Sequence, residues 1–216
     1  MWVRDNGPIF ARNSEGKLVI EDWGFNAWGR KAQYKNCDKI PALIGRDLGF
    51  EVVPVPMINE GGSVEVDGHG TLMGCKSSIT NANRNPGKTL GQIEAIFREF
   101  YGVTNFVWLE GVAGKDITDM HVDGFARFAG DSTLITMGEA DLEYWEVPAG
   151  DRQKLRAARN ARGEGYTVVE VPLTQNEVVT SAGKNVGRGS YINFYIANSV
   201  VVVPNYGDPN DAVANG

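Results

Sequence analysis

Asp116-Ile117-Thr118-Asp119-Met120-His121-Val122-Asp123-Gly124-Phe125-Ala126-Arg127-Phe128 is the stretch on which the reading of the chain turns. It holds one of only two histidines, with a carboxylate two residues later. If 121–123 is extended, the two-residue period of a strand puts imidazole and carboxylate on one face and Val122 on the other. Phe125 and Phe128 add apolar bulk, so an acid/base pair stands at the head of an apolar strand. Alone, the triplet reads first as a buried histidine satisfied by its neighbour. The weighting changes because similar polar clusters open other strands at a regular interval.

Working outward, the segment begins a strand to residue 128, a turn at Gly130-Asp131-Ser132 and a strand over 133–136. A basic helix from Asp151 to about Ala161 and a strand over 167–171 complete the unit. The same order precedes it. Glu60-Gly61-Gly62 leads into 63–66, a turn at Asp67-Gly68-His69-Gly70 and a strand over 71–73. Thr89-Leu90-Gly91-Gln92 is a capping box opening a helix with Ile93, Ile96, Phe97 and Phe100 on one face, stopped by Gly102 and followed by a strand over 106–109. Earlier still, Trp2 to Pro8 leads into strands over 9–11 and 18–20, a helix capped by Asp38 and stopped by Gly49, and a strand over 50–55. A fourth round opens at Gly189-Ser190-Tyr191, turns at Asn198-Ser199, and runs through Val200 to Val203 without a helix or final strand.

Units of strand, strand, helix, strand are therefore expected over about 2–56, 60–110, 121–172 and, incompletely, 189–216. They place Asp5, Glu60, His121 and Ser190 at equivalent positions. Such a unit cannot bury its apolar face alone, and several around an axis would bring their first-strand residues together. Asp5 so near one end, and a half unit at the other, lead us to expect an internal piece of a larger closed domain.

The 216 residues suit one domain with a sizeable core, and 42% hydrophobic with 22% charged residues excludes disorder. A net charge of -6 argues against nucleic acid and leans toward a cationic ligand. Two cysteines, Cys37 and Cys75, are too few for a disulfide framework. No apolar run nears the ~20 residues of a membrane span. The expectation is a soluble, cytoplasmic protein, with homo-oligomeric assembly left open.

Two carboxylates, Asp5 and Asp123, can accept a planar cation bidentately, and His121 has the pKa for a proton shuttle. Trp2, with Trp28 as a further candidate, would add a cation–π face. The motifs Trp-x-Arg-Asp-x-Gly-Pro, Glu-Gly-Gly-Ser-x-x-x-Asp-Gly-x-Gly-Thr, Asn-x-Asn-Arg-Asn-Pro, His-Val-Asp-Gly-Phe-Ala-Arg-Phe and Ser-Tyr-Ile-Asn-Phe-Tyr-Ile-Ala-Asn occur in that order. Together they resemble the agmatine deiminases, which belong with the bacterial-type peptidylarginine deiminases in the guanidino-group-modifying pentein superfamily. The resemblance implies an α/β pseudo-fivefold propeller of ββαβ modules, of which about three and a half are present. It implies that Asp5 and Asp123 hold a guanidinium, that His121 is the general acid/base, and that Glu60 sits at the substrate pocket.

The resemblance further implies covalent catalysis without metal or organic cofactor. A cysteine thiolate attacks the guanidinium carbon, ammonia leaves protonated by the histidine, and water hydrolyses the thiouronium. Agmatine would give N-carbamoylputrescine, a step toward putrescine. The family's nucleophile follows a Gly-rich segment in the last module, and neither Cys37 nor Cys75 lies in such a motif. Ile117 stands where many relatives carry a glutamate for the distal amine. Asp119 or Asp116 could take that role, or each could be a solvated loop acid. Arg84 reads as a structural arginine. Alternatives are a peptidylarginine deiminase, a non-catalytic guanidine-binding protein, and, against the histidine count, a metal-dependent hydrolase with His121 and Asp123 as ligands.

Overall fold

Three small sheets share one topology in the computed structural model, which describes residues 2–216. A one-turn helix, α1 (Val3–Asn6), leads into strands β1 (Ile9–Arg12) and β2 (Leu18–Asp22). The turn α2 (Ala27–Arg30) and helix α3 (Ile40–Leu48) carry the chain back to β3 (Glu51–Pro54). The second unit is β4 (Val64–Val66), β5 (Thr71–Cys75), α4 (Lys76–Ile79), α5 (Leu90–Tyr101) and β6 (Asn105–Leu109). The third is β7 (Ala126–Phe128), β8 (Thr133–Thr136), α6 (Glu139–Tyr144), α7 (Ala149–Arg156) and β9 (Thr167–Glu170). Two hairpins follow, β10 (Glu177–Val179) with β11 (Asn185–Arg188) and β12 (Tyr195–Ala197) with β13 (Val200–Val202), before α8 (Asp211–Asn215).

In each unit the first two strands pair antiparallel and the third joins the second in parallel. A parallel partner cannot be reached by a tight turn, so a helical crossover is required, and α3, α5 and the α6–α7 pair supply it. Local chemistry fixes the ends. Thr89 and Gln92 form a reciprocal capping box at α5, and Gly102 closes it in the left-handed conformation at φ 66°. The units then share their cores: Trp23, just past β2, stacks on Phe97 and Tyr101 of α5. Phe125, Leu134, Leu142 and Leu155 of the third unit pack with Met73, Cys75 and Leu109 of the second. Among the described residues, no helix is long and apolar enough to cross a membrane.

Several sequence expectations change in detail. Residues 121–128 are not one strand: His121 is extended, Val122–Gly124 is a 3-10 turn, and β7 starts at Ala126. Gly61–Ser63 forms a second such turn, and α1 stands at the same place before β1. Asp38 does not cap α3, whose N-cap is Lys39; its Oδ1 accepts from Phe25 N instead. Asp151 lies inside α7, where its carboxylate accepts from the backbone of Glu110 and Gly111 and ties the helix to the loop after β6. The hairpin β10–β11 and helix α6 carried no periodic signal strong enough to be expected.

Candidate functional site

The one-turn elements ahead of the first strands decide where the polar side chains go. A strand would send successive side chains to opposite faces, whereas a tight turn at the strand head keeps a side chain over the end of the sheet. Asp5 projects from α1, and Asp123 from the turn 122–124, with His121 just before it. All three are buried. Gly62 lies between them: a Cβ built there would fall 2.7 Å from His121 Nδ1, 2.8 Å from Asp123 Oδ2 and 2.9 Å from Asp5 Oδ1. Groups from the first and third units therefore meet over a glycine of the second, where any side chain would collide with them.

Asp5 is fixed by two neutral donors, Gly62 N at 3.0 Å on Oδ1 and Trp28 Nε1 at 2.9 Å on Oδ2. His121 Nδ1 lies 3.7 Å from Asp5 Oδ1, beyond hydrogen-bond range, while Nε2 lies 3.3 Å from Glu60 Oε2. Asp123 Oδ2 lies 2.7 Å from Arg4 Nε, an ion pair without hydrogen-bond alignment. The other end of that guanidinium donates to Glu65, which also accepts from Arg127 Nε at 2.9 Å. Arg127 in turn stacks over Phe194 and donates to its carbonyl, joining the fourth segment to the network.

Burial pulls the imidazole of His121 toward the neutral form. The contact with Glu60 and the charges of Asp5, Glu60 and Asp123 outweigh it, and the net direction is upward. Asp123 is also raised, because desolvation exceeds the help from Arg4 and His121. Glu65 is raised for the same reason, despite Arg127 and Arg4.

A cavity of about 350 Å³ opens over these groups, lined by Trp2, Arg4, Asp5, Asp116, Ile117, Thr118, His121, Asp123, Gly124, Trp145 and Asn193. A second, of about 440 Å³, shares Asp116, His121 and Trp145 and extends to Tyr144, Glu146 and Arg188. Trp2 is exposed at the first cavity and meets Trp28 edge-on. Trp28 itself is buried and acts on Asp5 through its N–H rather than its ring face.

Two expected substrate contacts are placed otherwise. Glu60 is 1% exposed and lines neither cavity; it faces the imidazole from behind, with Arg84 Nε at 2.9 Å. Asp119 is not a solvated acid or a cavity-wall group. Its carboxylate is buried and taken up by Arg84, by Lys31 at 2.7 Å and by Gly114 N at 2.7 Å. Desolvation opposes its ionisation, but the Lys31 and Arg84 hydrogen bonds and the backbone donor prevail and hold it at about 2. Ser190 reaches the third unit, donating to Gly124 O at 2.8 Å. Both cysteines are buried away from the cavities that contain His121, and burial pushes the Cys75 thiol up. Among the described residues, no group of three or more His, Cys, Asp or Glu is arranged to hold a metal.

Gly62, Arg4, Trp145 and the link from Arg84 to Glu60 are parts of the site that were not among the residues expected from the sequence. The doubled glycine at 61–62 was the visible signal, since two adjacent residues without Cβ suggest close backbone approach.

The sequence model of the Porphyromonas-type peptidyl-arginine deiminase family matches residues 1–216. A protein of Shewanella sp. (strain MR-4), whose name assigns it provisionally to agmatine deiminase, is 36% identical over 236 residues, covering 99% of this chain and 63% of its own. The solved structure of Enterococcus faecalis agmatine deiminase superposes with a TM-score of 0.86 at 28% identity, over 99% of this chain and 64% of that one. C. jejuni agmatine deiminase gives 0.79 at 28% identity, over 99% and 62%. The chain thus spans less than two thirds of the length of these relatives.

Proposed function

Because this chain belongs to the Porphyromonas-type peptidyl-arginine deiminase family, with a pentein-type α/β fold, we propose that its central cavity captures a guanidinium for hydrolytic deimination. The observation that carries the reading is the convergence of Asp5, His121 and Asp123 on Gly62 beneath a cavity walled by Trp2. Asp5 and Asp123 supply anionic acceptors matched to a flat cation, and Trp2 a ring edge or face at the mouth. His121, whose proton affinity is raised by Glu60, gives its proton to the departing ammonia and then takes one from the water that hydrolyses the intermediate. Glu60 orients the imidazole. The covalent step calls for a thiolate, and neither Cys37 nor Cys75 lines the site, so capture and proton transfer are assigned to these residues and the nucleophile to none of them.

Agmatine is the first substrate of this reading, with N-carbamoylputrescine and ammonia as products. Arginine in peptides is the second, and one feature favours it: the cavity wall offers the apolar Ile117, while Asp116 Oδ1 already accepts from Thr118 and Met120. A distal ammonium therefore finds few free acceptors. The test is calorimetry with agmatine, an N-acetyl-arginyl amide and putrescine, which keeps the amines and lacks the guanidine. Agmatine or the arginyl amide should bind and putrescine should not; putrescine binding as tightly as both would sink the proposal. Binding without release of ammonia identifies a capture-only protein.

A further inference from the structure

The segment that delivers His121 is strained and held from outside. Asp119 and Met120 are consecutive non-glycine residues in the left-handed region, at φ 63° and 71°, a conformation that costs roughly 1–3 kcal/mol at each such residue and persists only where the surroundings enforce it. Ser77 Oγ donates to Asp119 O at 2.7 Å and Asp116 Oδ1 accepts from Met120 N, and the group that ties this turn to the imidazole's surroundings is Arg84, 3% exposed, on the loop after α4. Its Nε lies 2.9 Å from Glu60 Oε1 and 3.3 Å from Oε2. Nη1 donates to Asp119 Oδ2 and to Asn83 Oδ1, and Nη2 donates to Thr118 O at 2.8 Å. Thr118 Oγ1 then accepts the backbone N–H of His121 at 3.1 Å.

Resting on the deiminase reading, we infer that Arg84 is a positioning residue for His121. Its planar fork couples the carboxylate that faces the imidazole ring to the turn that carries the imidazole's backbone. A lysine ammonium is a point charge and cannot span Glu60, Asp119 and the Thr118 carbonyl together. Lys31 supports Asp119 from the solvent side but does not reach Glu60. The imidazole thus sees Asp5 from α1, Glu60 from the segment before β4 and Asp123 from its own turn, with Arg84 behind Glu60 and Arg4 behind Asp123. Removing the Arg84 charge makes this surrounding more negative, and removing the Asp119 charge makes it less so. The two changes must move the proton affinity of His121 in opposite directions.

The chain suits a direct test because it has two histidines, and His69, in the loop between β4 and β5 and lining neither cavity, serves as an internal reference. Imidazole NMR titration of the 216-residue chain without ligand, assigned with His69→Gln, reads the His121 midpoint. Arg84→Met should move it to higher pH and Asp119→Asn to lower pH, with His69 unmoved. Arg84→Lys should hold the midpoint near the parent's while splitting or broadening the His121 signals. A midpoint unchanged in folded Arg84→Met overturns the inference, as does sharp, parent-like His121 resonance in Arg84→Lys. Should Arg84→Met not fold, Asp119→Asn decides: a downward midpoint supports the coupling and an unchanged one ends it. Agmatine added to the parent chain separately tests the deiminase reading, whose failure leaves the ligand-free result standing.

Discussion

Asp5 and Asp123 face the same imidazole, but their settings differ in kind. Asp5 is aimed by two uncharged donors, an indole N–H and a backbone amide. Asp123 lies against a guanidinium that the protein itself supplies, Arg4, which Glu65 also claims. Neutral donors fix a carboxylate's direction and leave its charge for a ligand, whereas a resident cation cancels much of it. An incoming guanidinium would thus meet at Asp5 a charge shared only with the His121 imidazole, and at Asp123 one already taken up by the Arg4 guanidinium. The two acids read as a matched pair in sequence and are an unequal pair in the fold.

The largest expected effect removes the frame both acids share. Gly62→Ala pushes a methyl into all three groups at once, and a displacement on the order of 1 Å is enough to lower guanidinium capture about a hundredfold. Calorimetry with agmatine measures it, and unaltered affinity would mean that the convergence is not the binding site. Next, Asp5→Asn should weaken agmatine binding by roughly thirtyfold, about 2 kcal/mol, and Asp123→Asn by well under half that energy. Equal losses would show the two carboxylates to be equivalent toward the ligand.

Asp119 offers a third contrast, as a buried acid with cations on two sides. Its carboxyl is held at about 2 against an ordinary 3.8. A depressed pKa contributes stability that is present above the unfolded value and is lost as pH falls toward the folded one. Asp119→Asn should therefore remove about 2 kcal/mol at neutral pH and flatten the loss between about pH 4 and pH 2. Asp123, with its pKa raised, has the opposite sign: its ionisation works against the fold as pH rises, so Asp123→Asn should relieve a cost. Denaturant melts across pH distinguish them. The smallest effect tests the neutral side of Asp5. Trp28→Phe keeps the ring and deletes one donor, and should weaken agmatine binding by about threefold to tenfold, the worth of one buried hydrogen bond. A much larger loss would show the indole holding more than Asp5.

The repeat was legible because the apolar alternation, the capping box at Thr89 and the stop glycines at 49 and 102 all act locally. The repeat put Asp5, Glu60, His121 and Ser190 at equivalent strand heads; Asp5 and His121 do meet over Gly62, with Asp123 beside them, while Ser190 reaches Gly124 instead. The partners of Glu60 and Asp119 were not legible. Arg84 lies 24 residues from one and 35 from the other, and no local pattern marks a buried ion pair between distant loops. Asp38 and Asp151 misled for the same reason: each looks like a helix cap in sequence, while the fold spends both on distant backbone amides.

The turn α2 has four residues in succession with positive φ, Ala27 at 54°, Trp28 at 55°, Gly29 at 84° and Arg30 at 66°. Left-handed backbone costs L-residues roughly 1–2 kcal/mol each, so this loop stands uphill whenever nothing grips it. Asn26 bonds the Asn83 carbonyl, Trp28 grips Asp5 and Lys31 grips Asp119, each contact to a residue far along the chain. The loop is a latch whose catches all lie on distant walls, and hydrogen exchange on warming should show its amides opening while the three sheets are still protected.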